Sequence, residues 1–341
     1  MTAAMPYRRL GRSGLIVSRL ALGTMTFGDR TDEAEATRIF EEAVDAGVNF
    51  MDTADTYAGG ASEEITGRLI KSRRDRFVLA TKLANPNGDG PNERGLSRKW
   101  IMQEAEASLG RLGTDFIDIL YLHKEDRGTP LEETARAVDD LRRSGKVRYF
   151  GVSNFKAWRV ARLADICERM QVDGPVVNQP LYHALNRTAE QEQLPACESY
   201  GMGVVTYSPT ARGVLSGKYR SGGAPPPGSR AALQNKRMMQ TEYQPENIAA
   251  AEKFCALAAI RGVEPVAFAT AWVLANPFVT SVIAGPRTIE QWRGYLAALD
   301  YVVTPEDESA VDALVRPGAT AIPQFVDPFY PVEGRATLPT L

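Results

Sequence analysis

The feature that most limits the fold of this chain is a regular alternation of short apolar runs with longer amphipathic segments. The segments between the runs carry apolar residues at helical spacing. Eight strands that alternate with eight helices predict an α/β fold of the (β/α)8 TIM barrel type. The eight runs are RLALGT, VNFMD, FVLATK, FIDILYLH, VRYFGVS, PVVNQ, GVVTY and TSVIAG.

Several segments also carry helix-start signals. In TPLEETARAVDDLRRSGK, Thr129 is the expected N-cap, Pro130 the first helical residue and Glu132 the residue that closes a capping box. A doubly wound open sheet is the structural alternative, but no G-x-G-x-x-G motif follows the first strand, which weakens it. The same start signal recurs in Asp32 with Glu35, Thr188 with Gln191, and Thr288 with Gln291.

The chain has 341 residues, more than the roughly 250 that a barrel of this kind needs. The excess predicts a β-hairpin at about 7–17 that plugs the barrel floor, with its turn at 11–14. It also predicts a long, mobile functional loop after strand seven, at 209–247. A Pro-rich, aromatic C-terminal tail at about 316–341 is expected to cover the rim. No linker separates a second domain, so residues 1–341 are predicted to form one barrel domain.

Composition argues against several classes of protein. A net charge of −2 gives no general attraction for nucleic acid or an anionic membrane. No run approaches the roughly 20 apolar residues of a membrane span, and the N-terminus lacks the apolar core of a secretory signal. We therefore expect a cytoplasmic protein with no nucleic-acid or membrane partner.

Metal and disulfide chemistry are also disfavoured. Only two histidines are present, so a multi-histidine metal site is not expected, and we predict no metal. Cys167, Cys197 and Cys255 form no C-x-x-C pair and fall in helix-like segments. We interpret them as reduced core residues.

The ends of the predicted strands carry polar residues, at the edge where barrel enzymes place their chemistry. Tyr57 follows the second strand in a loop. The strand-end residues are Asp52, Lys82, His123, Ser153, Asn154, Asn178, Gln179, Tyr207 and Ser208.

Four of these groups suggest acid–base chemistry. A lysine at position 82 would be partly desolvated, and Asp52 on the neighbouring strand could hold it charged. A charged lysine beside a phenol lowers the pKa of Tyr57, which could then act as a general acid or base. His123 could orient a substrate oxygen. The alternatives are a structural ion pair for Asp52 and Lys82 and a core role for His123, whereas Asp55 fits a turn residue.

At this point the sequence resembles the aldo-keto reductase family, from about residue 7 to residue 299. The resemblance implies a catalytic tetrad of Asp52, Tyr57, Lys82 and His123. It further implies that Tyr57 protonates a carbonyl oxygen while a nicotinamide delivers hydride, with no metal and no covalent intermediate. The motifs that carry it are LALGTMTFG, MDTADTYAGGASEEITGRLI, LATK, YLHKED, GKVRYFGVSNF, NQPLYH, YSPTARGVLSGKY and AGPRTIEQ.

The resemblance also implies contacts to a cofactor. Ser153, Asn154 and Gln179 would hydrogen-bond the nicotinamide carboxamide, and Tyr207 would stack, although rim packing is its alternative. The loop SPTARGVLSGK resembles the family's pyrophosphate cover. Its cofactor residues would be Ser208, Pro209, Gly213, Leu215 and Lys218, although Lys218 and Arg212 could equally be solvated loop charges.

The last strand leads through Gly285 into a helix start, which is a ready site for an anion. Arg287 suits a 2′-phosphate, which favours NADPH (NADP) and leaves NADH as the alternative. Gln291 fits either a cofactor contact or a capping partner of Thr288. Many relatives continue with Glu and Asn toward the adenine, whereas this chain has Gly294 and Tyr295. Tyr295 could stack on adenine instead.

The leading hypothesis is NADPH-dependent reduction of an aldehyde or ketone, with a small-molecule carbonyl as partner. One alternative is a lyase or aldolase that uses Lys82 as a Schiff-base nucleophile. Another is a non-enzymatic NADP(H)-binding regulatory subunit. Pocket walls are expected from Met25, Phe27, Tyr57, the loop after His123, the long loop and the tail, with His183 near the mouth. The sequence predicts neither the physiological substrate nor the oligomeric state.

Overall fold

Eight parallel strands close into a barrel in the computed structural model, which describes residues 4–323 and 325–330. An antiparallel hairpin, β1 (Tyr7–Arg9) and β2 (Ile16–Ser18), precedes the barrel. The predicted α/β barrel with an N-terminal hairpin is confirmed, and each predicted apolar run overlaps one strand. The barrel strands are β3 (Leu20–Gly23), β4 (Phe50–Asp52), β5 (Val78–Leu83), β6 (Ile117–Leu122), β7 (Val147–Ser153), β8 (Val177–Gln179), β9 (Gly203–Thr206) and β10 (Ser281–Ala284).

Helices alternate with these strands and surround the barrel. Neighbours along the chain pack side by side, as α2 does with α3 and α3 with α4. The helices are α1 (Glu33–Asp45), α2 (Ala61–Ile70), α3 (Arg98–Leu112), α4 (Leu131–Arg143), α5 (Ala157–Arg169), α6 (Gln193–Ser199), α7 (Lys236–Gln240), α8 (Pro245–Ile260), α9 (Pro265–Ala275), α10 (Ile289–Leu296) and α11 (Pro305–Leu314).

Two predicted helix starts are confirmed. The side chain of Asp32 accepts from the backbone N–H of Glu35, and that of Thr288 accepts from the backbone N–H of Gln291. The capping box is incomplete at this helix, because the side-chain oxygen of Gln291 accepts from the backbone N–H of Arg287 and not from that of Thr288.

The other two predicted starts are wrong. Helix α4 begins at Leu131 with Pro130 as its N-cap, and no side chain caps it, Glu132 included. The hydroxyl of Thr129 donates to Asp126 at 2.7 Å, because that carboxylate already organises the preceding loop. Thr188 opens a short 3₁₀ turn at Thr188–Glu190 rather than an α-helix.

The N-terminal hairpin closes the floor of the barrel. Leu10 and Val17 are fully buried and belong to the same apolar cluster as barrel residues such as Phe50. Gly11 has φ of +57°, and a Cβ there would lie 2.4 Å from the backbone oxygen of Gly201. Only glycine fits this contact, which seals the hairpin against the start of β9.

Strand periodicity determines which side chains reach the barrel interior. Alternate residues along a strand face the same side. The interior cluster contains Phe50, Ala80, Tyr121, Val177 and Val205. The residues two positions further along face the same side at the C-terminal end of the barrel: Asp52, Lys82, His123, Gln179 and Tyr207.

The long loop and the tail meet at the rim. The loop contains a 3₁₀ segment at Ala211–Ser216 and helix α7. Arg237 of α7 donates to both carboxylate oxygens of Asp327 in the tail, at 2.6 and 2.8 Å. Ala321 in the tail donates to the backbone of Leu185. The predicted tail continues through 331–341, which lie outside the described residues, and the single-domain assignment stays a prediction.

Membrane-span criteria are met by no single helix in the described ranges. Helices α8 and α9 pass together on length and composition, but they are bent by 93° at their junction.

The packing of α2 against α3 predicts that a glycine-to-alanine substitution changes the free energy of unfolding in opposite directions at Gly67 and Gly110. A Cβ at Gly67 would lie 2.2 Å from the backbone oxygen of Leu112, whereas Gly110, exposed in α3, has open space around it. We expect Gly67→Ala to lower the free energy of unfolding by about 1–3 kcal/mol. Gly110→Ala should raise it by about 0.5–1 kcal/mol. Urea unfolding measures both, and equal effects would contradict this packing.

Candidate active site

A cleft of about 650 Å³ opens at the C-terminal end of the barrel. Its walls come from the strand ends, the long loop and the tail. Lys82 lies beneath this surface, fully buried. The sequence-predicted residues that line the cleft are Asp52, Tyr57, His123, Ser153, Asn154, Gln179, Tyr207, Ser208, Pro209, Gly213, Lys218, Gly285, Arg287, Gln291 and Tyr295.

The buried ammonium group of Lys82 organises the floor of the cleft. It donates to Asp52 Oδ1 at 2.5 Å, to the backbone oxygen of Thr53 at 2.7 Å and to Tyr57 Oη at 3.2 Å. These three acceptors use all three N–H groups of an ammonium. Burial alone would lower the pKa of Lys82, but the charges and hydrogen bonds of Asp52 and Tyr57 outweigh it and raise the pKa. The lysine is therefore held charged.

Tyr57 lies above this lysine with its ring facing the cleft. Burial raises the pKa of Tyr57 above its usual value, and the Lys82 ammonium acts in the opposite direction without reversing the shift. The predicted net lowering of this pKa is therefore wrong, because desolvation of the phenolate exceeds its attraction to the lysine. The consequence is a neutral phenol at neutral pH. Since Oη accepts from Lys82, the phenolic proton is free to point elsewhere.

Asp52 connects the lysine to the far side of the cleft. Its Oδ1 accepts from Lys82, and its Oδ2 accepts from the side-chain amide of Gln179 at 2.8 Å. The carboxylate therefore has a partner on each oxygen, from β5 on one side and β8 on the other. The pair holds Gln179 directly and Tyr57 through Lys82, and both of these residues line the cleft.

His123 stands beside Tyr57, with ring centroids 6.0 Å apart in an edge-on arrangement. Burial, followed by repulsion from Lys82 and Lys124, holds the pKa of His123 well below its usual range, so the imidazole is neutral. The side-chain nitrogen of Asn85 lies 3.0 Å from Nδ1. Sequence reasoning missed Asn85, because it is a single loop residue after β5 with no recognisable motif.

The wall opposite Tyr57 is a hydrogen-bonded group of residues. Ser153 donates to the backbone of Gln179 at 2.8 Å. The amide nitrogen of Asn154 donates to the backbone oxygen of His123 and to Ser153 Oγ, while its oxygen accepts from Tyr207 at 2.8 Å. Asn154 has φ of +55°, a conformation that asparagine tolerates better than most residues. The structure thus brings Ser153, Asn154, Gln179 and Tyr207 together.

One predicted loop residue does not reach the cleft. Leu215 is completely buried in the apolar core, and its backbone N–H donates to the oxygen of Thr210. Gly213 lines the cleft, but its N–H donates to the same Thr210 oxygen at 2.9 Å. The backbone N–H groups of Gly213 and Leu215, two residues that the resemblance implied for the pyrophosphate cover, are therefore both used within the 3₁₀ turn.

One end of the cleft carries a cluster of cations. Burial lowers the pKa of Lys218 to about 8, and the neighbouring Arg287, Arg230 and Arg30 add to the effect. Burial, with Arg212 and Arg30, lowers the pKa of Arg230 to about 10. Among the described residues, no ion pair joins Lys218, Arg230 or Arg287 to a carboxylate, although Glu264 and Glu290 also line the cleft. Arg230 and Arg30 were missed, because they occur in loops where a lone arginine carries no signal.

Three further predicted cofactor residues, Gln291, Tyr295 and Gly285, line the cleft. Gln291 Oε1 accepts from the backbone of Arg287 at 2.9 Å and so helps to orient it. Tyr295 lines the cleft, with its hydroxyl 3.4 Å from Thr210 Oγ1. Gly285 has open space around its α-carbon.

Part of the predicted pocket wall is wrong. Met25 lines the cleft, but Phe27 is completely buried in the core. His183 is also buried, and its Nδ1 accepts from the backbone of Leu185 at 3.2 Å, so it does not line the mouth. The described residues immediately after His123 contribute nothing to the lining.

The long loop and the tail do contribute to the wall, as expected. They supply Arg237 and Phe329, whose guanidinium and ring lie 4.0 Å apart. Neither residue was singled out in the sequence, because the wall at this point depends on how two loops pack together.

Asp55 is buried in the segment between β4 and Tyr57. Its Oδ1 accepts from the backbone of Thr56 at 2.7 Å, which agrees with the predicted turn role. Burial, followed by repulsion from Glu104 and Glu63, raises its pKa to about 8. Asp55 is therefore largely protonated at neutral pH.

Cysteines and metal ligands add no further site in the described part of the chain. No group of three or more His, Cys, Asp or Glu residues there could hold a metal ion. All three cysteines are buried and unpaired, and burial raises the pKa of Cys167 to about 12 and that of Cys197 to about 11.

A closed parallel barrel with a buried Asp–Lys pair beneath a tyrosine and a histidine defines a class of cleft suited to acid–base chemistry. The chain matches the aldo/keto reductase family over residues 19–316 and belongs to it. Members of this family are NAD(P)-dependent oxidoreductases.

Relatives carry two kinds of name. The uncharacterized oxidoreductase YrpG of Bacillus subtilis (strain 168) is 42% identical over 315 residues, covering 89% of this chain and 93% of the relative. A probable voltage-gated potassium channel subunit beta of Oryza sativa subsp. japonica is 39% identical over 320 residues, covering 92% and 97%. Another protein with that name, from Arabidopsis thaliana, is 38% identical over 312 residues, covering 87% and 92%.

The Asp52–Lys82 pair predicts strongly coupled effects on stability. Asp52→Asn leaves a buried ammonium without its counter-charge, and we expect the free energy of unfolding to fall by about 3–5 kcal/mol. Adding Lys82→Met removes the uncompensated charge and should restore most of that loss. Chemical denaturation of the two single variants and the double variant gives the coupling energy. A double variant that loses the sum of the single effects would contradict the pairing.

Proposed function

We propose that this protein reduces an aldehyde or ketone to the alcohol with NADPH. The observation that carries the proposal is the Lys82 ammonium, which spends its three N–H groups on Asp52, Thr53 and Tyr57 and holds a neutral phenol facing the cleft. Beside the phenol stands a neutral His123. Reduction of a carbonyl requires a proton at oxygen, and this arrangement supplies one.

Each side chain has a role in this proposal. Tyr57 donates its proton to the carbonyl oxygen, and the adjacent Lys82 ammonium stabilises the negative charge that develops on the phenol oxygen. Asp52 keeps Lys82 charged and in position. His123 donates from Nε2 to the same carbonyl oxygen and orients it. When bound, the nicotinamide supplies the hydride, which no side chain can provide.

The residues present fit a phosphorylated dinucleotide. Ser153, Asn154 and Gln179 offer amide and hydroxyl groups suited to a carboxamide, and Tyr207 lies beside them. At the other end, the mutual repulsion of the cations favours a ligand with additional negative charge, which suits the 2′-phosphate of NADPH better than NADH. Tyr295 remains the candidate to stack on adenine.

A Schiff-base mechanism is less well supported. A lysine nucleophile needs a neutral amine with a free lone pair. Lys82 is held as an ammonium, with its pKa raised and its N–H groups all bonded.

A regulatory role is the second candidate function. The plant relatives that match most of this chain are named as probable potassium channel β subunits. By this alternative the protein binds NADP(H) in the same cleft and serves a partner protein without substantial turnover. The tetrad residues are compatible with both roles, so turnover is the distinguishing property.

Tyr57→Phe tests the proposed chemistry. The variant removes the proton donor and keeps the ring, so the rate of carbonyl reduction should fall at least about 100-fold. Affinity for NADPH, measured by fluorescence titration, should change little. The assay follows NADPH absorbance with a panel of aromatic aldehydes, dicarbonyls and ketones. If neither protein turns over any carbonyl while both bind NADPH tightly, the regulatory role replaces the reductase.

The cationic end predicts cofactor selectivity. Each charged hydrogen bond to a phosphate contributes about 1.5–3 kcal/mol, so Arg230→Ala and Arg287→Ala should each raise the Kd for NADPH by about 10- to 100-fold. The Kd for NADH should change much less. Arg293→Ala is the matched control, because Arg293 is exposed and paired with Glu42 outside the cleft. Equal losses for both cofactors would argue against a 2′-phosphate site.

A further inference from the structure

Asn85 lies just beyond the C-terminal end of β5, beside the ring of His123. Strand β5 ends at Leu83, and two residues later the side chain of Asn85 lines the cleft. Its side-chain nitrogen lies 3.0 Å from Nδ1 of His123. No other polar side chain in the described part of the chain hydrogen-bonds the ring of His123.

The backbone between β5 and Asn85 is strained. Ala84 is completely buried and has φ of +130°, in the region that favours glycine. Hydrogen bonds hold the chain on both sides: the backbone of His123 donates to Leu83 at 2.8 Å, and that of Gly95 donates to Ala84 at 2.9 Å. Strain of this kind persists where the surrounding structure enforces it, and it clusters at functional sites. Here it turns Asn85 back toward His123.

The contact determines which nitrogen of the imidazole carries the proton. A neutral histidine has one N–H group and one lone pair. In the amide orientation that the structure has, the nitrogen of Asn85 faces the ring. With this orientation the nitrogen donates, Nδ1 accepts and Nε2 carries the hydrogen. Among the described residues, Nε2 has no hydrogen-bond partner, and the ring faces the cleft beside Tyr57.

We propose that Asn85 is a positioning residue that fixes the tautomer of His123, so that Nε2–H is available to the substrate carbonyl oxygen. The consequence for catalysis rests on the proposed function, whereas the tautomer itself does not. With Tyr57 and His123 both donating, a carbonyl oxygen meets two neutral donors. The opposite tautomer would present a lone pair to the same oxygen and repel it.

Asn85→Asp is the sharpest test, because it reverses the direction of the hydrogen bond at nearly constant size. A carboxylate can only accept, so it should draw the proton to Nδ1 and raise the pKa of His123. The chain has only two histidines, so ¹⁵N-histidine NMR of the full-length protein resolves both rings. His183 is the internal reference, since its Nδ1 accepts from the backbone of Leu185 and not from Asn85.

In the unsubstituted protein we expect an unprotonated Nδ1 and a protonated Nε2 for His123. In Asn85→Asp the Nδ1 signal should become that of a protonated nitrogen, while the His183 signals stay unchanged. Asn87→Ala is the matched control, because the amide of Asn87 donates to Glu104 and not to the ring. It should leave His123 unchanged. A protonated Nδ1 in the unsubstituted protein, or no change in Asn85→Asp, would overturn the proposal.

Kinetics test the catalytic consequence. At pH above the raised pKa of His123, Asn85→Asp should reduce carbonyl turnover about 100-fold, the usual effect of losing one donor to a developing oxyanion. Activity should recover as the pH falls through that pKa, because the imidazolium again carries a hydrogen on Nε2. The unsubstituted protein should show no such recovery. A loss that is independent of pH would indicate a merely structural role and overturn the catalytic part.

Asn85→Ala provides a second arm. It should lower turnover more mildly than Asn85→Asp, and it should cause no further loss when added to His123→Ala, because the two residues act through one ring. Additive losses would contradict this. If the unsubstituted protein reduces no carbonyl at all, the proposed function fails, yet the NMR result still decides whether Asn85 fixes the tautomer.

Discussion

The site depends on one physical constraint, the burial of the Lys82 ammonium at the top of the barrel. A buried charge is tolerated only when it is paired and fully hydrogen-bonded. The neighbouring strand β4 provides the means, because its last residue is Asp52 and the next residue offers its backbone oxygen. The remaining N–H group has Tyr57 as its partner. The hydrogen bonds that compensate the buried charge of Lys82 therefore also fix the position of the Tyr57 phenol.

From that lysine a continuous hydrogen-bond network crosses the cleft. Asp52 links Lys82 to the side chain of Gln179, and the backbone of Gln179 accepts from Ser153. Ser153 in turn accepts from Asn154, whose oxygen binds Tyr207. The residues proposed to donate a proton and those proposed to hold the nicotinamide are thus one structural unit. A substitution at Asp52 is expected to disturb both sides, which is why Tyr57, at the edge of the network, is the cleaner probe of chemistry.

Periodicity predicted much of this arrangement. Alternating apolar runs gave the eight strands, and the position of Asp52, Lys82 and His123 two residues beyond interior apolar residues is a direct consequence of strand geometry. Loops gave no such signal. Asn85 and Arg230 matter through the path of the chain around them, and a strained residue such as Ala84 has no signature in sequence. The predicted cap at Thr129 failed because Asp126, a competing acceptor, was three residues away.

The sign of the Tyr57 shift bears on the direction of the reaction. Sequence reasoning gave weight to the lysine and predicted a lowered pKa, whereas burial prevails and keeps the phenol protonated. A protonated phenol can protonate the carbonyl oxygen when a carbonyl is reduced, whereas oxidation of an alcohol would first require the phenolate. Because the folded protein disfavours that phenolate, the oxidative direction should need higher pH than the reductive one. The same neutral pair of Tyr57 and His123 is compatible with a cofactor-binding regulator. The raised pKa of Tyr57 therefore bears on the direction of a reaction and does not by itself favour turnover over regulation.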